Sequence, residues 1–222
     1  MSDYYTGWRA RSYNFFWHSY SQRTLLEAET MIDMGALQLT ADRLARSPRA
    51  LDVACGTGLL LAWLLEHVAE VDAYGVDASE DMLAQAASTL KRWPQAHLEQ
   101  LELGTDTTAG LPFAPGSFDL VTCTNALHYL SDPIATLQGL GNLLAPAGQL
   151  VLEDYWEREL PLFRSLFRWL VHRFDPRHVR TYSLEEVRSL CTQARLTIAC
   201  EKTFDVDWLC KGWVLRVYTY PA

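Results

Sequence analysis

From Ala50 onward, short apolar runs ending in Gly, Asp or Asn alternate with stretches of helical spacing. The runs predict strands over Ala50–Ala54, Val71–Val76, His97–Leu103, Leu120–Cys123 and Leu150–Asp154, with two more at Leu196–Phe204 and Val214–Tyr220. Helices are predicted at Leu59–Val68, Ser79–Arg92, Pro133–Leu144 and Ser183–Ala194. Local chemistry supports their starts. Ser79 is placed as an N-cap, Asp132 caps a helix with Pro133 at its first position, and Ser183 with Glu186 forms a capping box. Strands separated by helices indicate an α/β fold with a largely parallel sheet. The last two strands are joined by the short segment Asp205–Gly212 without a helix, so they are expected to pair antiparallel.

Two segments fall outside this alternation. Residues 1–48 read as a helical N-terminal extension, with eight aromatics between Tyr4 and Tyr20, among them Tyr13 and Trp17. Residues 158–180 read as a helical insertion with an apolar stripe that includes Leu162, Phe163, Leu166, Phe167 and Phe174. Six arginines and three acidic residues lie between Glu157 and Arg180. Three readings of the insertion stay open: a cover that admits an anionic or lipid-like ligand, a reversible membrane-surface contact, and an amphipathic helix packed on the core.

Composition narrows the class. Of 222 residues, 49% are hydrophobic and 21% charged, which suits a folded globular chain rather than a disordered one. A net charge of −8 repels phosphate backbones, so nucleic acid is not an expected partner. The apolar run Leu59–Leu65 is far short of the ~20 residues that span a bilayer, and no stable membrane insertion is expected. The N-terminus lacks a charged segment followed by an apolar core, so a cytoplasmic location is expected. Five cysteines without a C-x-x-C pair, and six histidines without metal-motif spacing, predict no metal site.

The most informative string is Leu51-Asp52-Val53-Ala54-Cys55-Gly56-Thr57-Gly58, a strand that ends in a small, Gly-rich turn and opens a helix. Such a turn lets a ligand lie against bare backbone, and the helix amides favour a polar or anionic group. The second strand ends at Asp77, where an acid can accept both hydroxyls of a ribose. Dinucleotide binding would want a third glycine where this chain has Leu61, which disfavours a nicotinamide oxidoreductase.

The spacing Asp52, Ala54, Gly56, Gly58 resembles motif I of the class I S-adenosylmethionine-dependent methyltransferases. Further strings follow in order: Leu111-Pro112-Phe113, Gly116 to Val121, Asn125 to Pro133, and Leu143 to Leu150. The series resembles the type-11 small-molecule methyltransferases, which include the quinone-pathway C-methyltransferases, from about Arg49 to Asp154. The resemblance implies a single Rossmann-like domain over residues 1–222: a doubly wound, seven-stranded mixed sheet with one antiparallel strand, carrying the extension and the insertion. It implies S-adenosyl-L-methionine as cofactor. Asp52 would sit near the methionine amino group, with Ala54, Gly56 and Gly58 under the methionine and ribose. Asp77 would hold the ribose hydroxyls, Ala78 and Met82 would flank the adenine, and Asn125 would lie by the methionine. The family's usual acid before Leu-Pro-Phe is replaced here by Thr107, so Asp106 is taken as the acceptor for the adenine amine after a one-residue loop shift.

The implied reaction is in-line methyl transfer to a small, planar or hydrophobic acceptor. It needs orientation more than side-chain chemistry. If the acceptor must lose a proton, His128 and Asp154 are the candidate groups. An aromatic lid and the insertion are expected to surround the acceptor, through Tyr13, Trp17, Tyr155, Phe163 and Phe167. The competing reading is a regulatory protein that binds S-adenosylmethionine without transferring its methyl group.

Overall fold

The structure is a computed structural model that describes residues 22–102, 111–157, 178–208 and 210–219. Residues 22–31 form helix α1, followed by α2 (Met34–Leu44). Then come β1 (Arg49–Val53), α3 (Leu59–His67), β2 (Asp72–Asp77), α4 (Glu80–Thr89), β3 (His97–Gln100) and β4 (Phe118–Thr124). A 3-10 turn (Leu127–Tyr129) leads to α5 (Pro133–Leu143), β5 (Leu144–Glu157), α6 (Leu184–Gln193), β6 (Leu196–Asp205) and β7 (Cys210–Thr219). The seven strands form one sheet in the order β3-β2-β1-β4-β5-β7-β6. Pairing is parallel from β3 through β5, while β7 runs antiparallel to both β5 and β6. The single reversed strand therefore lies inside the sheet, not at its edge.

The predicted caps form. Ser79 Oγ accepts from Met82 N, Asp132 Oδ1 accepts from Ala135 N, and both halves of the Ser183–Glu186 capping box are present. Differences from expectation fall at element ends. β5 starts at Leu144 rather than Leu150 because Leu144 pairs with Phe118 of β4, and it runs on to Glu157 while β7 starts at Cys210 rather than Val214 because these two strands pair as far as Glu157↔Cys210. β3 stops at Gln100 rather than Leu103: it is an edge strand, and its partner β2 ends at Asp77, the residue opposite Gln100. Of the expected insertion, residues 178–180 are described, and they are not helical.

Strand alternation divides the core into two layers. Leu51, Val53, Val121, Leu150, Leu152 and Leu215 pack with Leu137, Leu140 and Val187 of α5 and α6. Ala50, Leu120, Val151 and Val214 face the other way, against Ala28 of α1, Ile32 just after it, Leu37 of α2 and Leu61 and Leu64 of α3. Burying a side chain of this kind contributes about 1.5–3 kcal/mol. Polar bonds add direction. Asp33 N donates to Gln149 Oε1 (2.8 Å) and Gln149 Nε2 donates to the Asp33 carbonyl (3.0 Å), which fixes the α1–α2 corner to β5. Asp119 on β4 is buried and takes two bonds from Arg46 and one from Arg49 N, which aligns the starts of β1 and β4.

Candidate cofactor site

The parallel strands β1, β2 and β4 place their C-terminal ends side by side, and a cavity of about 240 Å³ opens there. Such strand ends are where open α/β sheets bind ligands. The turn after β1 makes the cavity floor. Ala54 takes φ +59° and Gly58 takes φ +76°. At Gly58 a side chain is doubly excluded, because a Cβ would also lie 3.1 Å from Ala86 Cβ on α4. Gly58 therefore does not line the cavity; it lets α3 start close to α4.

Asp77 ends β2 and closes one side. Its Oδ2 accepts from Gly56 N (2.9 Å) and its Oδ1 from Ser79 N (2.9 Å). A carboxylate held by two backbone donors is fixed in orientation, as the seating of a vicinal diol requires. Ala78 and Met82 flank it on the cavity wall.

Asp52 lies deeper and is buried. Burial pushes its pKa up to about 7, the 2.6 Å hydrogen bond from Thr122 Oγ1 pulls it down, and the charge of Asp77 adds to the rise. Asp52 is thus poised between its acid and anionic forms at neutral pH, and a cationic ligand would favour the anion. Across the cavity Asn125 follows β4 with φ +50°, and its Nδ2 donates to Thr24 Oγ1 (3.1 Å). Thr24 and Leu25 also line the cavity, so α1 contributes part of its wall.

Seven of the nine expected cofactor positions line this one cavity: Asp52, Ala54, Gly56, Asp77, Ala78, Met82 and Asn125. Asp106 lies outside the described residues, as do Tyr13, Trp17, Phe163 and Phe167. Leu101 and Glu102 also line the cavity, although the sequence does not single them out. The available signal was β-pairing: Leu101 N donates to the Asp77 carbonyl, which carries β3's exit to the cavity. Thr24, Leu25 and Tyr129 were also missed, since only the packed fold brings them there.

His128 and Asp154 meet directly but do not line the cavity. Asp154 accepts from His128 N (3.0 Å), from His128 Nδ1 (2.8 Å) and from Tyr155 N (2.8 Å), and both residues are buried. The bond at Nδ1 orients the imidazole and leaves Nε2 as the nitrogen that can reach a ligand. The His128 ring lies 5.0 Å from the Tyr155 ring and 5.3 Å from the His178 ring. Among the described residues there is no group of three or more metal-ligating side chains and no helix long and apolar enough to cross a membrane.

A family profile described as a methyltransferase domain matches residues 51–150. The chain is 28% identical to the uncharacterized methyltransferase YcgJ of Bacillus subtilis, over 83% of this chain and 70% of that protein. It is 32% identical to the demethylmenaquinone methyltransferase of Lactococcus lactis, over 67% of this chain and 55% of that one. The chain thus spans little more than half the length of that relative. Among solved structures, YcgJ superposes with a TM-score of 0.64 at 19% identity, covering 85% of this chain and 99% of that one. A putative sarcosine dimethylglycine methyltransferase from Galdieria sulphuraria gives 0.71 at 13% identity, covering 93% and 97%. These structural likenesses concern the fold. The matched domain and the sequence relatives point to a class I S-adenosylmethionine-dependent methyltransferase of the type-11 kind.

Proposed function

We propose that this class I methyltransferase moves the methyl group of S-adenosylmethionine to a small, planar or hydrophobic acceptor at the C-terminal ends of β4 and β5. The observation that carries the reading is the convergence of Asp52, Asp77, Ala78, Met82 and Asn125 on one cavity. Their chemistry fits the cofactor: Asp77 takes the ribose hydroxyls, Ala78 and Met82 the adenine, and Asp52 with Asn125 the methionine end. The bound cofactor supplies an electrophilic methyl on a sulfonium, and S-adenosylhomocysteine is the leaving group. This chain's residues orient the partners and exclude water.

Where the acceptor must lose a proton, His128 receives it through Nε2, with Asp154 holding the ring and stabilising the imidazolium. Since neither residue lines the cofactor cavity, this role places the acceptor on the side of Tyr155 and His178. The likeness to a demethylmenaquinone methyltransferase favours a quinol-like ring.

The acceptor chamber is completed by the N-terminal aromatics, including Tyr13 and Trp17, and by Phe163 and Phe167. Support comes from α1, which continues directly from the aromatic segment and already places Thr24 and Leu25 at the cavity.

Incubating the protein and labelled S-adenosylmethionine with metabolite extracts tests the reading. Label is expected in a small aromatic or apolar product. Tight cofactor binding with no labelled product would favour the regulatory alternative. Deleting residues 1–20, or changing Phe163 and Phe167 to Ala, is expected to raise acceptor KM or lower turnover while cofactor affinity holds.

A further inference from the structure

Glu153 and Asp154 are adjacent on β5 and are treated in opposite ways. Asp154, on the α5–α6 face, accepts three hydrogen bonds. Glu153 is 1% exposed, and neither of its carboxyl oxygens meets a hydrogen-bond donor among the described residues. Folding exacts a penalty for such a group, because a buried carboxyl leaves water without regaining its bonds. Nothing about β5 requires it: Val151, two residues earlier on the same face, is apolar and packs well.

The position of Glu153 is specific. It pairs in register with Thr124, which lines the cofactor cavity, and its backbone carbonyl accepts from Asn125 N (2.9 Å). Alternation puts its side chain on the face shared with Asp52 and Thr122, beneath α1. It stands one position past Leu152 as Asp77 stands one past Val76, so it is level with Asp77 across the sheet, and it sits behind Thr124 rather than on the cavity lining itself. Burial, then the charge of Asp154, raises its pKa well above the usual carboxylate range, with the Asn125 amide opposing. A carboxylic acid in that state offers one donor and one acceptor together. That pair suits a hydroxyl or a carbonyl oxygen.

We propose that the Glu153 carboxyl receives the methyl acceptor by hydrogen-bonding a hydroxyl or carbonyl oxygen on its ring. The inference rests on the small-molecule methyltransferase reading and adds to it the polar feature of the acceptor that is recognised. Glu153 acts here by binding and placing the acceptor.

The test uses the full chain, saturated with S-adenosylhomocysteine, and two probes of matched shape: 2-naphthol, and naphthalene, which lacks the hydroxyl. Wild type is expected to bind 2-naphthol about tenfold more tightly, the value of one good hydrogen bond to a buried group. Glu153→Met should abolish that preference with naphthalene binding unchanged, and Glu153→Gln, which keeps a donor and an acceptor, should retain it. S-adenosylhomocysteine affinity should hold in both variants. The melting temperature of Glu153→Met should rise, since an unsatisfied group is removed; a purely structural carboxyl would lower it instead. Glu153→Leu repeats the comparison should the Met variant fold poorly. A preference for 2-naphthol that survives in the folded Met or Leu variant overturns the inference, and so does a wild type that binds both probes equally. A wild type that binds neither probe and labels no metabolite from S-adenosylmethionine removes the underlying reading, and this inference with it.

Discussion

Leu61 on α3 lies against Gly75 on β2, where a Cβ would stand 2.6 Å from the Leu61 Cδ1. The contact accounts for the leucine found where a dinucleotide motif would carry its third glycine. Close approach of helix and strand is kept, but the missing side chain is on the strand instead of the helix. Leu61 is fully buried as a result, and Cys55 Sγ and Leu98 crowd the same point.

Gly75→Ala is therefore expected to destabilise the fold by about 1–3 kcal/mol, the cost of overpacking a filled interior. Urea denaturation reads this directly. An Ala variant as stable as wild type would mean that Leu61 moves aside freely.

Asp77→Ala removes the acceptor for Gly56 N and Ser79 N as well as the proposed ribose contacts. Charge-assisted bonds are worth about 1.5–3 kcal/mol each, so affinity for S-adenosylhomocysteine is expected to fall at least about tenfold. Titration calorimetry on the folded variant checks it, and an unchanged affinity would remove Asp77 from the cofactor's partners.

Asp52 should make both cofactor binding and stability depend on pH. Its pKa of about 7 in the folded chain exceeds the roughly 3.9 of an exposed aspartate. The folded form keeps the proton while the unfolded form loses it. Stability from this group is full below about pH 4 and is lost as pH rises through about 7. Asp52→Asn, which cannot ionise, should gain stability relative to wild type between pH 5 and pH 8. A cationic ligand prefers the anion, so S-adenosylmethionine affinity should weaken as pH falls below about 7 in wild type and stay flatter in the Asn variant. Parallel pH profiles for the two proteins would contradict this account.

Asp154→Ala leaves His128 N, His128 Nδ1 and Tyr155 N without their acceptor in a buried site. Loss of one partner from such a network costs about 3–5 kcal/mol. Thermal unfolding should show a large drop, and equal stability would mean that the network relaxes onto other partners.

Legibility in the sequence followed the range of the interactions. Ser79, Asp132 and the Ser183–Glu186 pair act within one helical turn, so residue type and spacing were enough to place them. Asp77 was readable because one strand–turn–helix unit fixes its distance from Gly56. The full length of β5 was not, because Leu144 fits the end of the preceding helix and Ala145 to Gln149 carry no strand pattern of their own; they become strand only through pairing, with a register shift between Phe118 and Leu120. Thr24 lies 101 positions from Asn125 in the chain, and only the docking of α1 on the sheet brings them together. Glu153 looks like any polar residue near a strand end, and that its carboxyl lacks a hydrogen-bond partner emerges only from the packed structure.

The bridge that Asp77 makes between Gly56 and Ser79 uses only groups of the chain itself. The entropy of ordering both loops is thus spent during folding rather than on binding. At this bridge a ligand meets backbone that folding has already ordered. The same bridge ties the strand ends of β1 and β2 together, so the proposed ribose contact and the joining of the strands share one carboxylate. Amide hydrogen exchange at Gly56 and Ser79 would then report global unfolding rather than local opening, and would slow further with bound ligand only as far as the whole chain is stabilised.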